Sequence, residues 1–129
     1  MPASPSIAVQ AHASPSSVPL FRHRAAEFAA AHGAGRALVA DVALAISEAV
    51  TNAVKYSQAP AGAAEVELTG SNEGDWLEFR VLDRGQAFEV GESDGLGLGL
   101  SIIARLCSEL TIVQEGKGTE VRMRFALAS

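Results

Sequence analysis

The sequence predicts an α+β fold, a two-layer α/β sandwich whose helices cover one face of a mostly antiparallel, mixed sheet. Three observations predict it. One long stretch, from Arg36 to Ser57, carries its apolar residues at helical spacing. Two pairs of short strand-like segments are each joined by a tight, glycine-containing turn. Helical and strand-like segments also fall in separate runs instead of alternating regularly, the pattern of one helical layer packed on one sheet.

Taken in order, Met1–Ser6 is rich in Pro, Ser and Ala and reads as frayed. Ile7–His12 is a short edge strand, so residues 1–14 form a flexible N-terminus ahead of a single domain over residues 15–129. Ser14-Pro15-Ser16-Ser17 supplies a hydroxyl cap and a first-turn proline for a helix from Val18 to about His32, with Leu20, Phe21, Ala25 and Phe28 inward. Gly33 and Gly35 end it. In the second helix, Val39, Val42, Ile46, Ala49, Val50, Ala53 and Val54 make one buried stripe. Pro60 and Gly62 close that helix. Ala64–Thr69 alternates as a half-buried strand, Ser71-Asn72-Glu73-Gly74 turns the chain, and Trp76–Asp83 returns with Leu77, Phe79 and Val81 on one face. Trp76 and Phe79 both read as core. A glycine-rich loop covers Gly85–Gly99, and Leu100–Leu110 is a helix. Thr111–Gln114 and Thr119–Leu127 form a closing hairpin around Glu115-Gly116-Lys117-Gly118.

Bulk properties narrow the function. A chain of 129 residues with 48% hydrophobic content suits one domain with a real core. The formal net charge is −5, and no cluster of basic residues could grip a phosphate backbone, so direct nucleic-acid binding is not expected. No signal peptide or uninterrupted 18-residue apolar run is present, and the cytoplasm is the default compartment. The single Cys107 reads as a small buried hydrophobe. His12, His23 and His32 have no spacing that gathers them into a metal site.

Four short constellations carry chemistry. On the long helix, Glu48, Asn52 and Lys55 stand four and three residues apart and share one polar edge. An amide oxygen such as that of Asn52 can coordinate Mg²⁺, and a carboxylate one turn away can deprotonate an attacking hydroxyl. At the end of a buried strand, Asp83 precedes Arg84-Gly85-Gln86-Ala87, and its carboxylate can accept the exocyclic amine of adenine. Gly95-Leu96-Gly97-Leu98-Gly99 opens a helix, where glycines allow close backbone approach to phosphate. The spacing is neither that of a Walker loop nor that of a dinucleotide fingerprint. Gly116-Lys117-Gly118-Thr119 precedes the last strand. Singly, each has a plain structural reading: a solvated helix face, a turn-capping Asp, a flexible loop, a hairpin turn.

Their order and element types together resemble the GHKL ATPase superfamily. Ser47–Ser57 is similar to its N box, Asp83–Phe88 to its G1 box, Gly95–Leu100 to its G2 box and Gly116–Thr119 to its G3 box, a match running from about Leu20 to Phe125. Glu-Ala-Val-Thr-Asn-Ala-Val-Lys most resembles the short anti-sigma-factor serine kinases. The resemblance implies the Bergerat sandwich, with ATP or ADP and Mg²⁺ between the long helix and a glycine-rich lid. It implies Glu48 as catalytic base and Asn52 as the Mg²⁺ ligand. Asn52, Lys55, Asp83, Gly85, Ala87, Gly95, Gly97, Leu98, Gly99 and Thr119 are the implied nucleotide-binding residues. Its implied partners are a STAS-domain antagonist carrying the acceptor serine and a sigma factor, with a possible homodimer. The chain departs from the family pattern at Tyr56, where His is usual, at Ala87, where a second Gly is usual, and in Ser93–Leu96, which has no Arg. Two other readings stay open: a stand-alone histidine-kinase-like ATPase domain, and a non-catalytic nucleotide-dependent binding module, which the cation-free lid favours.

Overall fold

The computed structural model describes residues 6–56, 65–83, 94–115 and 118–127. The elements run β1 (Ser6–His12), α1 (Ser17–Ala31), α2 (Arg36–Tyr56), β2 (Glu65–Asn72), β3 (Trp76–Asp83), α3 (Asp94–Leu106), β4 (Glu109–Glu115) and β5 (Gly118–Ala126). The strands form one sheet in the order β1-β2-β3-β5-β4. Every neighbouring pair is antiparallel, so the described sheet contains no parallel pairing where a mixed one was expected.

Period-two alternation sets the sheet's two faces. Leu77, Phe79 and Val81 of β3 and Val121, Met123 and Phe125 of β5 are buried, as are Val66 and Leu68 of β2. Against them α2 packs Val42, Ala45, Ile46, Ala49, Val50 and Ala53, and α1 adds Phe21, Ala25 and Phe28. Phe28, Phe79 and Phe125 meet edge to face at 6.0 Å between successive centroids, tying α1 to both central strands. Gly70 sits opposite Phe79 in register, and a Cβ there would lie 2.8 Å from the Phe79 ring. By length and composition alone α2 could cross a membrane, with mean hydropathy 1.5 over Arg36–Lys55. Its apolar stripe is instead spent on the core.

The opposite sheet face is polar. Glu78 accepts hydrogen bonds from Arg80 Nε at 2.9 Å and Arg124 Nε at 3.0 Å. Arg124 also reaches Glu109 at 3.6 Å and lies 5.2 Å from the Trp76 ring centre. Trp76 is therefore 36% exposed and not core: it shares the pleat parity of Glu78 and Arg80, one residue out of step with Phe79.

Other boundaries differ for local reasons. Leu20 is 43% exposed because Phe21 takes the inward position of α1. Ser16 makes no side-chain cap; Ser17 Oγ instead donates to the His12 carbonyl at 2.6 Å, joining β1 to α1. Gly33, at φ +103°, ends α1 as expected, and the Ala34 N–H reaches the Ala29 carbonyl in a Schellman closure. The third helix starts at Asp94, six residues before Leu100, and stops at Leu106. Three glycines in its first two turns cost about 1 kcal/mol each against alanine, which is why local preference reads that stretch as loop. Leu110 belongs to β4 and pairs with Met123. Cys107 is half-buried, and that burial pushes its thiol pKa up.

Candidate nucleotide site

The ends of the two central strands place the first site residues. Asp83 continues the inward parity of Leu77, Phe79 and Val81, and Thr119 continues that of Val121, Met123 and Phe125. The two are register partners, so a carboxylate and a hydroxyl stand side by side at the sheet end. They are 3% and 2% exposed. From the helical layer, Asn52 points down at them from the edge of the α2 stripe and is itself buried.

Asn52, Asp83 and Thr119 line one small cavity with Ala49, Ala53, Val81, Leu100 and Val121. Asn52 Nδ2 and Thr119 Oγ1 are buried with no hydrogen-bond partner, and Asp83 Oδ2 is equally shut off from solvent. An orphaned buried polar atom costs roughly 1–3 kcal/mol, so a cluster of this kind fits a polar ligand. Its chemistry suits adenine: a carboxylate for an amine, a hydroxyl able to donate or accept, and valine and leucine walls for the ring faces. The cavity measures about 10 Å³, room for one water, so a nucleobase needs more space than this lining leaves.

Glu48 and Lys55 flank this cavity without lining it. Glu48 is half-buried one turn before Asn52, and Lys55 is exposed at the last turn of α2. Ser47 Oγ donates to the Ala43 carbonyl at 2.8 Å, so that hydroxyl serves the helix. Gly95, Gly97, Leu98 and Gly99 fall in the first two turns of α3. Gly85, Ala87, Gly116 and Lys117 lie outside the described residues. Ala49, Ala53, Leu100, Val81 and Val121 were not singled out as site residues by the sequence. Ala49 and Ala53, small residues one turn apart on a stripe otherwise of Val and Ile, were the available signal that the helix leaves room there.

Among the described residues, an open antiparallel sheet under three helices makes a two-layer α/β sandwich with this buried polar cluster at its end. The family model for the histidine kinase-like ATPase domain matches residues 11–125, and the chain belongs to that family. The GHKL resemblance is thus borne out, and the function at this level is that of a kinase-like ATPase domain of a family that binds ATP or ADP, typically with Mg²⁺.

Among solved structures, the RsbU and RsbW domains of Rv1364c from Mycobacterium tuberculosis are similar at 25% identity and TM-score 0.75, over 95% of this chain and 32% of that one. The histidine kinase domain of the blue-light activated histidine kinase from Erythrobacter litoralis EL346 shares the fold at 22% identity and TM-score 0.61, over 85% of this chain and 61% of that one. So does the Acinetobacter baumannii histidine kinase AdeS, at 10% identity and TM-score 0.55, over 95% of this chain and 68% of that one. The chain thus spans about a third of the first of these structures. No curated protein sequence matches it.

Proposed function

We propose that the chain is an ATP-dependent protein serine/threonine kinase of the anti-sigma-factor type, acting in the cytoplasm on a serine of a STAS-domain antagonist and sequestering a sigma factor. One observation carries the reading: Asn52, Asp83 and Thr119, from three separate elements, converge in one buried cavity with Glu48 a turn away on α2. The likeness to a structure containing an RsbW domain supports the branch.

In this reading Asp83 and Thr119, with Gly85 and Ala87, hold the nucleobase. Lys55, Gly95, Gly97, Leu98 and Gly99 hold the phosphates, and the Asn52 amide oxygen holds Mg²⁺, which when bound neutralises phosphate charge. Glu48 takes the proton of the acceptor hydroxyl. Its half-buried position leaves it reachable from outside while Asn52 faces inward.

The test is transfer from labelled ATP to a recombinant STAS-domain protein, followed by acid treatment. Phosphoserine survives acid and phosphohistidine does not. Glu48→Gln keeps size and hydrogen bonding but removes the base, so it should bind Mg-ATP normally and transfer at least roughly a hundredfold more slowly. An unchanged transfer rate would remove Glu48 from the mechanism. An acid-labile product would favour the histidine-kinase-like reading. Binding without any transfer would favour a nucleotide-dependent binding module, the reading to which the absence of Lys or Arg from Gly91 to Leu100 points.

A further inference from the structure

The sheet ends on β1 at one side and on β4 at the other, and the two edges are built differently. β4 begins and ends on a glutamate, and Glu109 is tied to Arg124 of β5 at 3.6 Å. Charge on an outer strand discourages a further strand from pairing with it. β1 runs Ser-Ile-Ala-Val-Gln-Ala-His, with no Asp, Glu, Lys, Arg or Pro in it. It pairs with β2 along its whole length, from Ser6 opposite Ser71 to His12 opposite Glu65. Among the described residues no strand pairs with its other side. In an antiparallel pair, alternate residues turn their N–H and C=O toward the partner, so the remaining residues of β1 turn theirs outward. A row of backbone donors and acceptors at that spacing is matched by another strand and by no compact ligand. The edge is also held in place: Ser17 Oγ donates to the His12 carbonyl at 2.6 Å and anchors β1 to α1.

The side chains of β1 set what an added strand must carry. On the helix side Val9 is buried, and Ile7 and Ala11 are half-buried against the core. Alternate residues of an added strand stand roughly 5 Å from these three, so apolar side chains there continue the core outward. On the open side β1 presents Ser6, Ala8, Gln10 and His12, all exposed. Glu65 lies just beyond His12, exposed, and its carboxylate has no partner among the described residues. Glu67, beyond Gln10, carries the same charge. A Lys or Arg on the added strand spans the two strand spacings, roughly 10 Å, to this negative patch, whereas a carboxylate there meets like charge.

We propose that β1 is a docking edge for an extended segment of a partner protein, which adds as an outer strand with apolar residues toward α1 and basic residues toward the open face. Backbone hydrogen bonds supply the affinity, and the positions beside Ile7, Ala11 and Glu65 supply the selectivity. The docking rests on neither the nucleotide site nor the kinase reading.

The full chain, ¹⁵N-labelled, is titrated with two capped heptapeptides, one alternating valine with lysine and the other alternating valine with glutamate. The lysine peptide should shift the amides of Ile7 to His12 and slow the hydrogen exchange of those turned outward. The glutamate peptide should bind at least roughly tenfold more weakly. Two further lysine peptides, N-methylated at the odd or at the even residues, should differ, because only one side of the peptide meets β1. One should lose binding and the other keep it. Ala8→Lys and Glu65→Lys, both at exposed positions, should each weaken the lysine peptide several-fold, on the order of a surface ion pair. Melting temperature and Mg-ATP affinity, measured on the same samples, should stay those of the parent. No binding, equal binding of the lysine and glutamate peptides, shifts away from β1, or the same behaviour of both N-methylated forms each overturn the proposal. Concentration-dependent shifts of β1 without peptide would assign the edge to a second copy of the chain and overturn it too.

Discussion

At the scale of single residues, the proposed nucleotide site holds one carboxylate in a nearly dry place. Asp83 is 3% exposed and paired in register with Thr119. A site built to hydrogen-bond one group discriminates strongly against ligands lacking it, because its own buried polar atoms are then left unmatched. Asp83→Asn presents a donor where adenine also presents one. It should weaken ATP by at least about tenfold and erase the preference of ATP over GTP, read by calorimetry. Equal affinities of ATP and GTP for the parent protein would discard Asp83 as the reader of the base. The sequence marked Asp83 as a strand-end carboxylate, and Thr119 entered only through its likeness to a motif. That Asn52 joins them is not legible from spacing: Asn52 and Asp83 are far apart in the chain, and only α2 crossing above the ends of β3 and β5 brings them together.

At the scale of elements, the sheet shows how the two faces do different work. On the helix side, Gly70 yields its space to Phe79, and the Ile7 side chain closes in from β1, 3.3 Å from where a Cβ on residue 70 would stand. Gly70→Ala should destabilise the fold by about 1–3 kcal/mol, since a ring that contacts both Phe28 and Phe125 has little freedom to retreat. Chemical denaturation checks this, and a Phe79→Leu background should recover part of the loss. On the open side, burial alone would raise the Glu78 pKa, but hydrogen bonds from Arg124 and Arg80 outweigh it and hold the carboxyl below its usual 4.5. The unfolded chain then binds the proton more readily than the folded one. The contribution of Glu78 to stability is therefore full above about pH 4.5 and fades as the pH falls from there through the lowered folded value. Glu78→Gln should flatten the stability profile in that acid window, while the parent keeps its slope. Identical profiles would show that the ion pair carries no linkage.

At the scale of the whole molecule, ligand and fold are coupled because the site spans both layers. Asn52 is helical, Asp83 and Thr119 belong to the sheet, and Leu100 on α3 also lines the cavity. A nucleotide held there binds only the folded chain. At a Mg-ATP concentration a hundred times Kd, the folded state should gain about 2.7 kcal/mol. For a domain of this size the melting temperature should rise by roughly 8–16 °C. Asp83→Asn should lose most of that rise under the same conditions. A parent protein whose melting point ignores Mg-ATP would show the cavity to be structural only.

The sequence by itself determined the elements whose periodicity is strong and local: the α2 stripe, the alternation of β2 and β3, the Gly33 stop, and the motif order that marks a GHKL-type domain. Spacing along a helix or strand fixes which side chains share a face, so those features need no partner to be read. The tertiary structure decided what spacing leaves degenerate. It put Trp76 outside and Phe79 inside, extended α3 back through three glycines, and made the described sheet wholly antiparallel. It also gathered Asn52, Asp83 and Thr119 around one cavity. Each of these depends on contacts between residues distant in the chain, where the energy of packing layer against layer outweighs the preferences any short segment holds alone.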